Sequence, residues 1–592
     1  MRILGISDHI ISGAAILEDG RVLAAVNEER LVRKKMVMGF PRKSIQAVFE
    51  LTKLRPDQID YVAIASKRGH FMNDYVEFDA GTFGVDRGFV KNLFMSVGSG
   101  LSFLRDEIPL LERLYYELRE PAYAHRRHTI KQVLQQEFDL HCPVEFIEHH
   151  FAHACSAFYS SGYDEALVVT MDASGDGASS HVYQVDKGKW QLLHRIASFD
   201  SLASYYAYVT HICGFKAGKH EGKITGLAAY GQPRYSDIID KFIAYRDGSV
   251  VNVGKVFYRS ALKKLREALP ADLSKEDLAA TIQVTAEKVA THYIQHWLRT
   301  TQSSQVALAG GLFANVKINQ RVHEIPGVES VFIHPAMSDE GLAVGAALTL
   351  NYLHAPDPDS LERRCLDHVY LGPDYAESDL SRALDAEAIQ YAYHGDIEGE
   401  IARLISEGYV VARFAGRMEY GPRALGNRSI LYRPDDPSVN DWLNENLQRT
   451  EFMPFAPSTL AEDADASYVG LEGAREAARY MTITFECSQA MQQSCPGVVH
   501  VDNTARPQLV SERDNPGYYR ILKAFKARTG LSSIINTSFN IHEEPIVCTP
   551  ADAIRAFKIG HLDYLAIGPF LAENPVLRER GQVPQRRSSA VK

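Results

Sequence analysis

Two histidines four residues apart are the residues of this sequence whose types and spacing most directly suggest chemistry. His149 and His153 fall in the helix-compatible run HHFAHA, so both imidazoles would project from one helical face and could grip one metal ion. An isolated pair at this spacing is more often structural. Here, however, Asp172 follows a predicted buried strand and Asp339 opens a predicted helix, positions at which open α/β sheets place ligands. Two imidazoles and two carboxylates suit Fe, Mn or Zn, so we predict that these four residues bind one divalent ion.

Glycines mark a second kind of site, suited to an anion. The predicted strand Gln305–Ala309 runs into Gly310 and Gly311, and helix-compatible sequence begins after Asn315. Glycines at a strand-to-helix turn let the backbone approach a ligand closely, and a helix N-terminus favours negative charge. Lys223 follows a glycine, but the upstream glycine and the Ser or Thr of a Walker A motif are missing.

Arginines interleaved with glycine and proline mark the second half of the chain. They are Arg413, Arg417, Arg423, Arg428, Arg449 and Arg506. Guanidinium groups bind phosphates in a bidentate manner, and this mixture with Gly, Pro and apolar residues is typical of a lined pocket rather than a solvated face. Asn536 and Ser538 follow the apolar run 531–535, where they could contact a nucleotide or simply form a turn.

The elements that must position these residues occur twice along the chain. Predicted strands at 2–7, 12–17 and 21–26 form a meander, and a similar pattern returns at 166–171, 180–184 and 190–196 around a Gly-rich loop, 172–177. The repetition predicts an α/β fold with a duplicated domain. Residues 81–137 look helical and amphipathic, and this insertion is either a substrate-shaping element or a decorative subdomain.

Composition excludes several classes of protein. The 592 residues are 45% hydrophobic and 23% charged, which excludes fibrous and disordered chains. The net charge of −10 argues against a nucleic-acid partner. The seven cysteines lack CxxC spacing, the N-terminal residues do not have the pattern of a signal peptide, and no apolar run approaches the length of a membrane span. We therefore expect a cytoplasmic protein with no membrane partner.

Seven motifs in this order resemble those of the carbamoyltransferases that modify nodulation factors and antibiotics. They are HHFAHA, GKITGLAAYG, AGGLFANVKIN, MSDEG, GPRALGNRSIL, PFAPS and NTSFNIHEEPIV. The resemblance covers nearly the whole chain. It implies an actin/Hsp70/sugar-kinase-like domain at 1–354, similar to tRNA threonylcarbamoyl-transfer enzymes, a linker at 355–368, a YrdC-like domain at 369–580 and a tail at 581–592.

The resemblance also implies a two-site reaction. The C-terminal domain would make carbamoyl adenylate from ATP, with its Mg²⁺, and carbamoyl phosphate, and the N-terminal domain would transfer the carbamoyl group to a hydroxylated small molecule. The divalent ion of the N-terminal domain would be Fe, with Mn or Zn as alternatives. A homodimer is left open.

Individual roles follow from the same resemblance. His9, in the context His-x-x-Ser, would be the catalytic base. The adenylate in the N-terminal domain would contact Lys35, Gly175, Lys223, Gly226, Gly310, Gly311 and Asn315. Carbamoyl phosphate and ATP in the C-terminal domain would contact Arg423, Arg428, Arg449, Arg506, Asn536 and Ser538. Met453 and Leu447 stand where some members carry Arg and Lys, so Arg449 would have to supply that positive charge.

Two other functions compete with this one. The first half alone would suit a small-molecule kinase of the actin-like fold, but that leaves the arginine-rich half without a role. A tRNA threonylcarbamoyl-transfer protein is disfavoured by the net acidity and by the fused second domain. The sequence does not identify the acceptor, since relatives carbamoylate aminoglycosides, macrolactams, sugars and lipo-oligosaccharides.

Overall fold

Three large sheets organise the chain. The computed structural model describes residues 1–78, 109–361, 363–447, 452 and 454–574. The first sheet has the strand order Arg21–Asn27, Gly13–Glu18, Arg2–Ser7, Tyr61–Ala65 and Val144–Ile147. The second has the order Lys189–Ala197, Ala178–Asp186, Glu165–Gly175, Gln305–Ala309 and Ser330–Ile333. The third has the order Tyr391–Tyr393, Phe570–Glu573, Tyr564–Ile567, Val411–Phe414, Arg428–Tyr432, Ser533–Ser538, Ala456–Leu460 and Gln508–Val510.

The first two sheets repeat one topology. In each, the first three strands along the chain pair antiparallel, the fourth pairs in parallel with the first, and the fifth pairs in parallel with the fourth. The central strands are buried on both faces, as the fully buried Ile3, Leu4 and Ile6 illustrate. This confirms the predicted α/β class and the duplication in the N-terminal half that the actin-like resemblance implies.

Helices cover these sheets. In the N-terminal half they are Glu28–Val32, Arg42–Thr52, Pro109–Phe138, His149–Ser161, Leu202–Ile212, Glu221–Leu227, Ser236–Ile239, Tyr258–Ala268, Lys275–Thr301, Val316–His323 and Leu342–Leu353. In the C-terminal half they are Glu377–Ala386, Ile397–Ser406, Val439–Asn446, Ala464–Ser467, Arg475–Ala478, Gln489–Ser494, Pro516–Thr529 and Pro550–Ile559. Short strand pairs join Val37–Met38 to Val76–Glu77, Ala244–Arg246 to Ser249–Val251, and Phe485–Glu486 to Thr504–Ala505.

Two helices pack closely between the repeated sheets. A Cβ added to Gly345, on helix Leu342–Leu353, would lie 2.1 Å from the carbonyl oxygen of Ala152 on helix His149–Ser161. A Cβ added to Gly5 of the first strand would lie 1.9 Å from the Ala343 oxygen. Only glycine permits these backbone approaches. The helix that carries the histidine pair therefore packs closely on helix Leu342–Leu353, which itself packs closely on the first strand.

Two local expectations are wrong in detail. The Gly-rich segment 172–177 is not a loop, because strand Glu165–Gly175 continues through Asp172 and the return strand begins at Ala178. The turn is reduced to Asp176 and Gly177, both with positive φ. Asp339 does not cap a helix directly, because a 3-10 turn, Asp339–Gly341, precedes helix Leu342–Leu353.

Some predicted segments extend beyond the described residues. Of the predicted insertion 81–137, the structure describes the part within helix Pro109–Phe138, and residues 79–108 lie outside. The predicted tail 581–592 also lies outside. All seven cysteines are free thiols. Among the described helices, none combines the length and the apolar character needed to cross a bilayer.

Candidate functional site

The histidine pair and the two aspartates converge at one point of the N-terminal half. His149 is the first residue of its helix and His153 lies one turn later. The Nε2 atom of His153 lies 3.4 Å from Asp172 Oδ2 and 3.5 Å from Asp339 Oδ1. His149 Nε2 lies 3.7 Å from each of the same two oxygens. One potential ligand atom from each residue thus lies within 4.8 Å of the others, a separation that one ion can bridge.

The hydrogen bonding of the cluster fits a bound ion. His149 Nε2, His153 Nε2 and Asp172 Oδ2 are buried and have no hydrogen-bond partner within the described residues. Buried polar atoms are nearly always partnered, so three converging exceptions make this cluster a candidate cation site. Among first-row metals, mixed imidazole and carboxylate ligands suit Fe, Mn and Zn.

Glycines leave room for this cluster. A Cβ added to Gly175 would lie 2.0 Å from His149 Cδ2, and one added to Gly311 would lie 3.0 Å from Asp172 Oδ1. Both glycines were predicted to contact an adenylate, and the structure places them against the metal-ligand candidates. Gly310 has a φ of +105°, and an added Cβ would lie 2.3 Å from the Met171 oxygen. Glycine is therefore needed here because the two backbones lie too close for a side chain.

Electrostatics couple the four residues tightly. Burial alone lowers the pKa of His149, but Asp172 and Asp339 outweigh it and raise that pKa to about 9. The same competition raises the pKa of His153. Burial raises the pKa of Asp172, yet the two imidazoles hold it well below its usual range. Without metal, the cluster is therefore a carboxylate–imidazolium network whose protons a cation must displace.

Two residues that the sequence analysis missed orient His149. Ser66 Oγ lies 3.1 Å from His149 Nδ1, which directs Nε2 toward the carboxylates. Asp176 Oδ2 accepts hydrogen bonds from the backbone N–H groups of His149 and Lys67, each at 2.9 Å. Asp176 lies in the Gly-rich motif and could have been noticed, whereas no sequence signal distinguishes Ser66.

His9 follows the first strand, as predicted. Its Nε2 is buried and lacks a hydrogen-bond partner in the described part of the chain. Burial lowers the pKa of His9, although the neighbouring Asp8 carboxylate acts in the opposite direction. The neutral imidazole, which can accept a proton, is thus the favoured form at neutral pH.

A cavity of about 300 Å³ lies between the N-terminal and C-terminal halves. The cationic residues on its wall are Lys35, Lys219 and Lys223 from the first half and Arg423 and Arg506 from the second. Asn536 and Ser538 also line it. Five cations around one cavity favour a polyanionic ligand such as a nucleotide with its phosphates. Lys35 and Lys223 were assigned to a separate adenylate site in the N-terminal domain, but the structure places them on this shared cavity.

Some predicted contacts are not on the cavity wall. Arg428 is fully buried and donates to the carbonyl oxygens of Ala415 at 2.8 Å and Gly416 at 3.0 Å. Its guanidinium also stacks 3.7 Å from the centre of the Phe414 ring. The Arg428 side chain therefore stabilises the backbone around Ala415 and Gly416. Arg428 does not line the cavity, and its direct phosphate contact stays a prediction. Arg449 and Met453 lie outside the described residues.

Two residues that were predicted to contact the adenylate in the N-terminal domain have local structural roles. Asn315 caps helix Val316–His323 and exchanges hydrogen bonds with Gln283 at 2.8 and 3.2 Å. Gly226 lies inside helix Glu221–Leu227. Neither lines the cavity, and their adenylate contacts stay predictions.

A buried carboxylate that the sequence analysis missed folds the GPRALGN loop. Glu419 Oε1 accepts hydrogen bonds from the backbone N–H groups of Leu425, Asn427 and Arg428 at 2.9, 2.7 and 3.0 Å. The loop places Arg423 on the cavity wall. Asn536 also stabilises the loop, because its Nδ2 donates to the Ala424 carbonyl oxygen at 3.2 Å.

An ionic contact that we call the His220–Glu543 bridge joins the halves at the cavity. His220 Nε2 lies 2.8 Å from Glu543 Oε1, and Lys216 Nζ lies 3.1 Å from Glu543 Oε2. Glu543 has a φ of +61°, an uncommon value for a non-glycine residue. The bridge connects the segment directly before the motif GKITGLAAYG to the motif NTSFNIHEEPIV, which the sequence analysis noted separately.

Comparisons with known proteins match both halves of the chain. The family model described as Carbamoyltransferase N-terminus matches residues 2–348, and the one described as Carbamoyltransferase C-terminus matches residues 402–574. An uncharacterized protein of Synechocystis sp., sll1178, is 32% identical over 635 residues, covering 99% of this chain and 97% of the relative. The nodulation protein NolNO of Sinorhizobium fredii is 33% identical over 577 residues, covering 94% of this chain and 78% of the relative.

Two solved structures with low overall similarity each cover about three fifths of this chain. The activator of the 2-hydroxyisocaproyl-CoA dehydratase from Clostridium difficile, with bound ADPNP, gives a TM-score of 0.31 at 12% identity, covering 59% of this chain and 94% of that chain. Full-length HypF in its phosphate- and nucleotide-bound form also gives 0.31 at 12% identity, covering 60% and 47%.

Proposed function

This chain belongs to the carbamoyltransferase family, and from that premise we propose that it is an ATP-dependent O-carbamoyltransferase acting on a hydroxyl group of a small molecule. The observation that carries the proposal is the pairing of a cation-lined cavity between the halves with a separate cluster of two histidines and two aspartates. The first suits activation of a carbamoyl group with ATP, and the second suits its transfer.

Activation would take place in the cavity. Water cleaves carbamoyl phosphate to carbamate and inorganic phosphate, and a carbamate oxygen then attacks the α-phosphorus of ATP. Pyrophosphate leaves, and carbamoyl adenylate remains. Lysine and arginine side chains stabilise the negative charge that develops on the phosphates, because they are fixed in place before the reaction. Lys35, Lys223, Arg423 and Arg506 are assigned this role, with Mg²⁺ accompanying the ATP.

Transfer would take place at the histidine–aspartate cluster. An acceptor hydroxyl attacks the carbamoyl carbon, the bond to the adenylate oxygen breaks, and AMP leaves. His9 takes the hydroxyl proton, since its buried Nε2 has no other partner in the described chain. A divalent ion held by His149, His153, Asp172 and Asp339 would supply positive charge for the adenylate, and the side-chain ligands fit Fe, Mn or Zn.

The test separates the two half-reactions. Wild-type protein should release pyrophosphate from ATP only when carbamoyl phosphate is present. Arg506→Ala should lose most of this release, since it removes a cation from the cavity wall, whereas Arg513→Ala, a change at an exposed arginine, should not. His9→Asn should keep pyrophosphate release and slow transfer from preformed carbamoyl adenylate by about 10²-fold.

Other results would contradict the proposal. ADP formation that is independent of carbamoyl phosphate would identify a kinase instead. Normal pyrophosphate release by Arg506→Ala would show that activation does not take place in this cavity. The acceptor can be found by supplying a metabolite extract with labelled carbamoyl phosphate and identifying the labelled product.

A further inference from the structure

One arginine of the inserted helix reaches into the transfer site. Arg126 lies on helix Pro109–Phe138, within the insertion whose role the sequence left undecided, and its side chain is fully buried. A fully buried arginine is uncommon, and it is retained only where several acceptors meet its guanidinium. The acceptors here belong to the loops that carry His9 and orient His149.

The first acceptor is the residue before His9. Arg126 Nε donates to Asp8 Oδ2 at 2.9 Å, and its Nη2 donates to the other carboxylate oxygen of Asp8. This bidentate pair fixes the Asp8 side chain in both distance and direction. Because Asp8 and His9 are adjacent, the pair also restricts the backbone from which the His9 imidazole projects.

The second acceptor lies at the end of strand Tyr61–Ala65. Arg126 Nη1 donates to the Ser66 carbonyl oxygen at 3.0 Å. Ser66 has a φ of +68°, a left-handed value that persists in a non-glycine residue only when its surroundings hold it there. Its hydroxyl lies 3.1 Å from His149 Nδ1. The same guanidinium therefore fixes the residue that orients a metal-ligand candidate.

A third contact brings the Arg126 guanidinium close to the His9 ring itself. A Cβ added to Gly69 would lie 2.7 Å from His9 Cε1 and 3.4 Å from Arg126 Nε. The His9 ring and the Arg126 guanidinium thus pack against the same glycine. A purely apolar core contact would not require this combination of a carboxylate, a carbonyl and a histidine ring.

We propose that Arg126 is a positioning residue for carbamoyl transfer, acting on His9 through Asp8 and on His149 through Ser66. The inserted helix is then part of the transfer site and not a decoration. This inference rests on the proposed function and deepens it, because it assigns the insertion to transfer and leaves activation to the cavity between the halves.

The experiment measures both half-reactions in the full-length protein. Carbamoyl-phosphate-dependent pyrophosphate release reports activation. Release of AMP from preformed carbamoyl adenylate, with water as the acceptor, reports transfer in a single turnover. Arg126→Gln should slow AMP release at least tenfold, leave the adenylate concentration for half-maximal rate nearly unchanged, and keep pyrophosphate release within about twofold of wild type.

Three further variants make the result specific. Arg126→Lys should recover part of the AMP-release rate, since lysine restores the charge opposite Asp8 but not the bidentate contact. Asp8→Asn/Arg126→Gln removes both buried charges, so it should stay folded even if Arg126→Gln does not, and it should remain slow in transfer. Arg127→Gln, one residue along the helix, changes a partly exposed arginine that pairs with Glu120, and it should match wild type.

Two outcomes would overturn the inference. One is normal AMP release by Arg126→Gln or by the double variant. The other is an equal loss of both half-reactions in folded protein, which would indicate a general structural role. A wild-type protein that makes no pyrophosphate with carbamoyl phosphate would instead refute the proposed function, so the two failures are distinguishable.

Discussion

At the scale of single residues, His149, His153, Asp172 and Asp339 each place one potential ligand atom within 4.8 Å of the others. His149 and His153 are separated by one helical turn, so local geometry alone places them together. Asp172 lies within strand Glu165–Gly175 and Asp339 begins a 3-10 turn, and both were predicted as ligands from their places beside apolar elements. Ser66 and Arg126 reach the site from other parts of the chain, and no local pattern marks a serine with positive φ or a buried arginine.

The raised pKa of His149 leads to a prediction about proton release. At pH 7, below the value of about 9, His149 of the metal-free protein carries a proton that a divalent ion must displace. Binding should therefore release about one proton or more per ion at pH 7, and affinity should rise as pH increases toward 9. Titration calorimetry of Fe²⁺, Mn²⁺ or Zn²⁺ in buffers of different ionisation enthalpy measures the protons.

A matched pair of variants checks the ligands themselves. His149→Ala/His153→Ala should lose stoichiometric metal, whereas His141→Ala, at an exposed histidine, should retain it. Full metal content in the double variant would show that the ion lies elsewhere. Binding at pH 7 without proton release would show that the imidazoles are already neutral.

At the scale of elements, apolar runs predicted the strands well and turns less well. Strand Arg2–Ser7 is buried on both faces, and its apolar character is therefore visible in the sequence. The segment 172–177 has glycines that suggest a loop, but cross-strand pairing of Gly175 with Ala178 extends the hairpin instead. Such pairing depends on the partner strand, which local composition does not report.

The GPRALGN loop provides an element-scale prediction. Glu419→Ala leaves three backbone N–H groups of the loop without their shared acceptor, at a cost of about 1–3 kcal/mol for an unsatisfied buried group. The free energy of unfolding should fall by at least about 2 kcal/mol, and pyrophosphate release should fall because Arg423 loses its support. Denaturant unfolding and the pyrophosphate assay measure the two effects.

An exposed glutamate serves as the control for that change. Glu472→Ala should alter neither the unfolding free energy nor pyrophosphate release, since Glu472 is exposed to solvent. If Glu419→Ala is as stable as Glu472→Ala, water replaces the carboxylate in the loop and Glu419 has no organising role.

At the scale of the whole molecule, the shared cavity could not be predicted. Lys35 and Lys223 were assigned to one domain and Arg423 and Arg506 to the other, because sequence distance and motif family separated them. Their meeting depends on how the two halves dock, and docking is set by side-chain contacts such as that of Arg30, which donates to the Gly421 oxygen at 2.7 Å. No periodicity or spacing within either half contains that information.

The His220–Glu543 bridge gives a whole-molecule prediction with a definite pH dependence. Burial raises the pKa of Glu543, but hydrogen bonds from His220 and Lys216 outweigh it and lower that pKa from 4.5 to about 2. A carboxyl group with a depressed pKa stabilises the folded state above its ordinary pKa, and the contribution is lost as pH falls through the folded value. The difference in denaturation midpoint between wild type and Glu543→Gln should therefore be largest near pH 6 and shrink toward pH 3.

The control is a glutamate outside the bridge. Glu512→Gln, at an exposed position, should show no comparable pH-dependent difference from wild type. A Glu543→Gln difference that stays constant from pH 6 to pH 3 would mean that the bridge does not depend on the ionised carboxylate.

The cavity between the halves also has a genetic consequence. Its cations come from residues encoded far apart, with Lys35 in the first half and Arg506 in the second. A gene split between the two halves would yield two products, each carrying an incomplete set of positive charges. Recombination that exchanged one half would therefore restore the cavity only with a partner half that carries the missing charges.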